Sequence, residues 1–219
     1  RALHPLFNLI QPERNADMIK SMLAHYDQSV HPMLPVWSHH ANENWCMIGY
    51  HAVSVIADAI VKGNDNFDLH HALEACVNTA NYDLFDGLSY YKTLGYVPED
   101  KNSSSVSKTL EYAYDDWTIA QLARKIGNDG IDLAFTKRSE GFLNVFDRET
   151  GFMRPKMSDG SWKVPFDALN THGQGFIESP GGFQDDTGVL QGFLDFEKRA
   201  DSIRGVIKRP NLVLGRTEI

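Results

Sequence analysis

Residues 41–63, ANENWCMIGYHAVSVIADAIVKG, constrain the fold of this chain more than any other stretch. Val53, Val55, Ile56, Ala57, Ala59, Ile60 and Val61 crowd its second half, so a helix there is apolar around most of its circumference. Such a helix needs neighbours on several sides. Its strongly polar members, His51, Ser54 and Asp58, fall at i, i+3 and i+7 and form one narrow stripe that must face water, a partner or a site. Asn44 reads as the N-cap of this segment, which carries Met47 and Ile48 as well, and Lys62-Gly63 as its end. The apolar run at 46–61 is broken by His51 and Asp58 and falls short of the roughly 18 residues that a membrane span needs.

The remaining patterns supply neighbours for it. Met18, Ile19, Met22, Leu23 and Tyr26 recur at helical spacing after Pro12 until His31-Pro32 stops the run, predicting a helix of about four turns. Residues 68–82 read as another helix. Residues 104–126 read as a long one, with Val106, Leu110, Ala113, Trp117 and Ala120 on one face and Gly127 at its end. Helical spacing continues over 130–146 with Leu133, Phe142 and Phe146 on one side. The stretch DRETGFMRPKMSDGSWKVPFD then breaks the pattern, and a short hairpin is expected around 158–161. Long connections at 32–43 and 82–104 are places where function tends to sit. Helices alternating with long loops suggest an α/α toroid or solenoid, and no short fixed-period repeat supports a consensus array.

With 219 residues, 42% hydrophobic and 11% aromatic, the chain is long enough for one large domain with a sizeable core. A net charge of −8 argues against a general nucleic-acid binder, which draws its affinity from clustered Lys and Arg. Cys46 and Cys76 lack CxxC or metal-finger spacing and are expected as small buried hydrophobes in apolar helices. The chain starts at Arg1, without an initiator Met or an apolar leader, so it is expected to begin inside a longer protein and says nothing about export. From Pro180 onward six basic and six acidic residues balance, so the net charge comes from 1–179. That shift marks a boundary between 1–179 and a divergent tail, 180–219.

Carboxylates beside aromatic residues in loops are the usual equipment for cleaving glycosidic bonds: acids protonate or activate, and aromatic faces stack on sugar rings. Three places fit. Glu43 lies between Trp37 and Trp45, close to His39, His40, Asn42 and Asn44. Asp115 and Asp116 lie between Tyr112 and Trp117. Glu178 follows a Gly-rich turn and Phe176. Each has a plainer reading: surface histidines at 39 and 40, a helix-surface acid plus a loop capper at 115 and 116, and a solvated carboxylate at 178. Composition does not choose among them.

The order of motifs does. RALHPLFNLIQPER, LPVWSHHANENWCMIGYHAVSVIADAIVKG, GYVPEDKNSSSVSKTLEYAYDDWTIAQLARKIG, RSEGFLNVFDRETGFMRPKMSDGSWKVPFD and GFIES, in this order, resemble glycoside hydrolase family 92, the calcium-dependent exo-acting α-mannosidases. The resemblance covers residues 1–179. It implies an all-α fold, an incomplete (α/α)6 toroid with long loops, and a secreted or periplasmic protein acting on terminal mannose of N-glycans or mannan. It places residues 42–45 at the rim where substrate enters, with Trp37, Asn42, Glu43 and Trp45 as substrate-binding residues. His51 and Asp58 are expected in structural hydrogen bonds. The family inverts configuration, with one carboxyl as general acid and another group activating water on the opposite sugar face. The acid of its Gly-Phe-x-Glu motif falls on Glu178.

The resemblance also sets departures. The family's base follows its acid by more than a hundred positions and most of its calcium machinery lies elsewhere, so calcium ligands are not assigned here and this chain by itself is expected to be inactive. After Glu178 the family's Asn-Ala/Ser-Trp-x-Tyr is replaced by Pro180-Gly-Gly-Phe-Gln-Asp-Asp. Exposed helix faces are expected to drive self-association. The competing readings are a non-catalytic carbohydrate-binding remnant and a helical interaction module.

Overall fold

The computed structural model describes residues 3–40, 42–168 and 175–176. Seven α-helices run through them in chain order: α1 (Leu3–Ile10), α2 (Pro12–Gln28), α3 (Ala52–Val61), α4 (Leu69–Thr79), α5 (Leu88–Leu94), α6 (Ser105–Ile126) and α7 (Asp129–Ser139). A 3₁₀ turn, Glu140–Val145, follows. Two antiparallel strand pairs complete the list: β1 (Ser38–His39) with β2 (Asn42–Glu43), and β3 (Phe146–Asp147) with β4 (Phe152–Met153). Ser38 stands opposite Glu43 in the first pair and Phe146 opposite Met153 in the second.

Local chemistry sets most boundaries. Pro12 occupies the first turn of α2, where its missing N–H costs nothing. Asp68 caps α4 by accepting the N–H groups of His70 and His71, both at 3.0 Å. Those bonds, the His71 N–H foremost, lower the Asp68 pKa from its ordinary 3.8. The cap's contribution is therefore complete above that value and is lost as pH falls through the lowered one. Gly127, at φ +85°, closes α6 as its sequence predicts.

The helix of the 41–63 stretch is shorter than its sequence suggests. It begins at Ala52, and residues 44–51 form a loop. Trp45 and Gly49 have left-handed backbone, at φ +57° and +81°, which no continuous right-handed helix accommodates. The Tyr50 N–H donates to the Asp115 carboxylate at 2.7 Å instead of to a helical carbonyl. Cys46 consequently lies exposed in the loop, and only Cys76 is the buried thiol expected, its pKa pushed up by burial.

α6 is the spine. Sixteen of its 22 residues are buried, so it is enclosed on nearly all sides and every polar side chain along it needs a partner. It packs against α3 on one flank and α7 on another, with α4 and α5 in further contact. α1 and α2 pack beside α3. The main core joins Ile19, Ile56, Ile60, Leu73, Ile119 and Leu122, among others, across these helices. A second cluster of Tyr96, Val106, Leu110, Val145 and Met153 lies at the start of α6, with Phe176 packed on it. These packed helices, with two small strand pairs beside them among the described residues, are the all-α fold expected for an incomplete helical toroid. The connection 82–104 hides α5, and the turn at 158–161 is a single Lys156–Trp162 bridge with Asp159 accepting the Ser161 N–H. Leu133 is 74% exposed, because α7 turns Phe135 and Ser139 toward α6 instead.

Asp116 holds α7 in place. Its side chain is fully buried and pairs bidentately with Arg138, both bonds at 2.6 Å. Tyr50 donates its hydroxyl to the same carboxylate at 2.7 Å, and Arg138 also donates to the Ala80 carbonyl and the Asn81 side chain. Burial pushes the Asp116 carboxyl up from its ordinary value, while Arg138 and Tyr50 pull it back down. Burial opposes the charge on Arg138, but the Asp116 contacts outweigh it and raise the guanidinium pKa. Removing one member of such a pair strands the other charge. Arg138→Ala is therefore expected to lower the unfolding free energy by about 3–5 kcal/mol, and pairing it with Asp116→Asn to recover part of that loss, both read from urea unfolding curves.

Candidate active site

Three side-chain groups stand out, one in the loop before α3 and two along α6. The first is the loop carrying Trp37, Asn42, Glu43 and Trp45. Glu43 is buried, and its two oxygens accept three backbone N–H groups: Val36 at 2.5 Å, Trp37 at 2.9 Å and Trp45 at 2.9 Å. This carboxylate organises its own loop and fixes the backbone of both tryptophans. Asn42 ties the loop to the end of α2, its amide oxygen 3.4 Å from the Ser29 hydroxyl and the Val30 N–H.

Trp37 is 57% exposed and Trp45 38%. The Trp45 indole backs onto His31, Tyr82 and Phe85, with ring centroids 5.2, 6.5 and 6.4 Å away. His31 and Tyr82 are bonded to each other at 2.5 Å through Nδ1 and the hydroxyl. A left-handed backbone at a bulky residue is strained, and strain of this kind persists where surrounding bonds over-determine it. Here the Glu43 bond to the Trp45 N–H and the Asn44 side-chain bond to the Cys46 N–H do so. An aromatic face held rigid and partly open suits a sugar ring. His39 and His40 are exposed and stack edge to face at 4.4 Å.

The second group centres on Asp115. The sequence suggests a helix-surface acid plus a loop capper at 115–116, but neither acid is at the surface: both side chains are 0% exposed. One Asp115 oxygen takes the Tyr50 N–H; the other takes the His51 Nδ1–H at 2.9 Å. The opposite ring nitrogen of His51, Nε2, lies 3.4 Å from Glu111. Gly49 leaves room for this ring, since a Cβ there would stand 2.5 Å from His51 Cε1. Asp58, lower on the polar stripe of α3, accepts the Asn8 amide and pairs with Lys62. The sequence singled out His51 and Asp115 but not Glu111, which sits one helical turn before Asp115 and has no aromatic-loop context to draw notice.

The third group is the start of α6. The Gly175 carbonyl accepts the N–H groups of Val106 at 2.9 Å and Ser107 at 3.2 Å, so a distant loop satisfies two of the helix's orphan donors. Phe176 packs beside it against the cluster of Tyr96, Val106, Leu110, Val145 and Met153. Lys108, buried in the same turns, pairs with Asp86 at 2.9 Å and bonds Asn102. Glu178, two residues beyond Phe176 in sequence, lies outside the described residues, as does the tail from Pro180.

The model of the glycosyl hydrolase family 92 catalytic domain matches residues 1–186. The chain belongs to glycosyl hydrolase family 92. Among solved structures it is similar to a family GH92 α-mannosidase from Bacteroides thetaiotaomicron, at 51% identity and a TM-score of 0.78 over 81% of this chain and 24% of that one. It is also similar to an inverting family GH92 mannosidase from Bacteroides thetaiotaomicron VPI-5482, at 34% identity and a TM-score of 0.75 over 81% of this chain and 25% of that one. A curated relative, an uncharacterised secreted glycosidase from Arthroderma benhamiae, is 30% identical over 52% of this chain and 18% of its own length. The chain thus spans about a quarter or less of the relatives it matches.

Against this family background, no group of three His, Cys, Asp or Glu side chains among the described residues is placed to hold a metal ion. Three buried carboxylates are committed otherwise: Glu43 to backbone N–H groups, Asp116 to Arg138, Asp115 to Tyr50 and His51. They do not fit a calcium cage of six to eight oxygens. No helix among the described residues is long and apolar enough to cross a membrane.

The rim predicts its own test. In Glu43→Gln one oxygen becomes an NH₂ group, which puts a donor against a backbone donor and leaves at least one buried group unsatisfied, a cost of about 1–3 kcal/mol. Amides 36–45 are expected to exchange with deuterium faster while those of α6 are unchanged.

Proposed function

We propose that this chain is part of an exported exo-α-mannosidase that releases terminal mannose from N-glycans or mannan with inversion of configuration. The observation that carries the reading is the 51% identity to a solved family GH92 α-mannosidase across 81% of the chain. The similarity to an inverting mannosidase supports the stereochemistry, and that to a secreted glycosidase supports export. In this reading Glu178 is the general acid that protonates the leaving oxygen. A second group, not among the described residues, activates water on the opposite sugar face.

The rim residues divide their work. Trp37 and Trp45 offer aromatic faces to the glycan, Asn42 a polar edge, and Glu43 acts through the backbone it fixes. Calcium belongs to the proposal through the family, and this reading assigns it no ligands among the described residues. When bound, it would supply a Lewis acid able to hold sugar hydroxyls.

A general acid contributes roughly 10²–10⁴-fold, and most where the leaving group cannot depart unprotonated. In a family-length polypeptide carrying this segment, Glu178→Gln is therefore expected to lose far more kcat/KM on a mannobiose than on a dinitrophenyl α-mannoside, whose aryl oxide leaves readily as an anion. Steady-state rates on the two substrates, both with saturating calcium, check this. Equal losses would make Glu178 a binding residue and move the acid elsewhere.

A further inference from the structure

Within the exo-mannosidase reading, on which this inference rests, we infer that Gly175 is a positioning residue for the proposed general acid: its seat on the first turn of α6 fixes the backbone that leads to Glu178.

The start of α6 is left open for it. Ser104, the residue before the helix, has left-handed backbone at φ +57° and ψ +34°, and its side chain caps none of the helix N–H groups. A serine at such a position ordinarily has extended backbone and caps with its own hydroxyl. With that cap missing, the Val106 and Ser107 N–H groups donate to the Gly175 carbonyl at 2.9 and 3.2 Å instead. A docked peptide thus takes the place of the cap. Strain of the kind seen at Ser104 persists where the surrounding structure over-determines it.

Only glycine fits the seat. Gly175 is buried, with φ +84°. A Cβ there would stand 2.8 Å from Pro155 Cγ, 2.9 Å from Val106 Cγ2 and 3.2 Å from Ser105 Oγ. None of these yields readily. Ser105 and Val106 are 0% exposed, and the Ser105 hydroxyl is bonded to Glu99 at 2.8 Å. Pro155 is a rigid ring whose carbonyl accepts the Lys163 N–H, and the preceding Arg154 is tied to Asp147 and to the Lys163 carbonyl. Phe176, packed against the second core cluster, anchors the next residue independently. Three peptide units separate Gly175 from Glu178, at most about 11 Å of extended chain, so a shift of the seat is carried to the acid. Proton donation depends on that placement, since a displacement of about 1 Å costs on the order of 10²-fold in rate.

The leaving group separates positioning from folding. In a family-length polypeptide carrying this segment, Gly175→Ala forces the backbone off its seat. It is expected to lower kcat on a mannobiose by about 10²-fold with KM held within about twofold, and to lower kcat on a dinitrophenyl α-mannoside by less than about threefold. The retained aryl activity reports that the variant is folded. Phe176→Leu, which thins the apolar anchor without a clash, is expected to show the same split at smaller size, and it decides the question if Gly175→Ala does not fold. A merely structural role lowers both rates together. Equal losses on the two substrates in these variants, while Glu178→Gln keeps its leaving-group split, would overturn this inference and leave the mannosidase reading standing. Equal losses in Glu178→Gln would remove the acid from position 178 and overturn the inference with it.

Discussion

Two consecutive buried carboxylates, Asp115 and Asp116, sit at the middle of α6, and the rest of the structure is arranged around them. Successive residues on an α-helix point about 100° apart, so neighbouring acids face different flanks, and Tyr50 reaches both, through its N–H and its hydroxyl. Asp115 reaches the loop before α3 and its His51; Asp116 reaches Arg138 on α7. A charge enclosed by protein is tolerated only with partners in good geometry, so each acid dictates where its neighbour must lie. Tyrosines complete the arrangement. Tyr50 stacks on Tyr112 at 5.4 Å and bonds Asp116, and Tyr91 donates to the Arg138 carbonyl at 2.7 Å. Burial lifts their hydroxyls well above the ordinary pKa, so they remain neutral donors.

This polar centre gives the candidate site its rigidity. The rim loop cannot continue α3 as a helix, because its Tyr50 N–H is committed to Asp115 and its Trp45 backbone to Glu43. The same bonds hold the indole outward at the surface. At the other end, the start of α6 lends its N–H groups to Gly175 and so fixes the approach to the Gly-Phe-x-Glu segment. The loop that carries Tyr50 and the loop that carries Gly175 are therefore both tied to one helix.

Much of this was legible in the sequence, and the misses share a cause. The α2, α4 and α6 spans follow apolar spacing and cap residues, and the family resemblance gave the toroid. The start of α3 was misplaced because propensity at 46–51 is helical while tertiary bonds to Asp115 and Glu43 claim the backbone donors. Leu133 shares its spacing with Phe142 and Phe146 but is exposed, because α7 turns Phe135 and Arg138 toward α6 instead. Of the pair read as a helix-surface acid plus a loop capper, Asp115 does take a loop N–H, but neither acid is at the surface, and nothing local announces that a partner lies 65 or 22 residues away. Glu43 was recognised as important, but its role as a backbone acceptor shows only in three dimensions.

The central claim is that each acid governs a different neighbour of α6. Hydrogen–deuterium exchange on Asp115→Asn and Asp116→Asn tests it directly. The account predicts that Asp115→Asn speeds exchange at Tyr50 and across residues 44–51 while α7 keeps its protection, and that Asp116→Asn loosens α7 first. If both substitutions speed exchange uniformly over the same helices, or if Tyr50 keeps full protection without Asp115, the two acids do not act separately and the account fails.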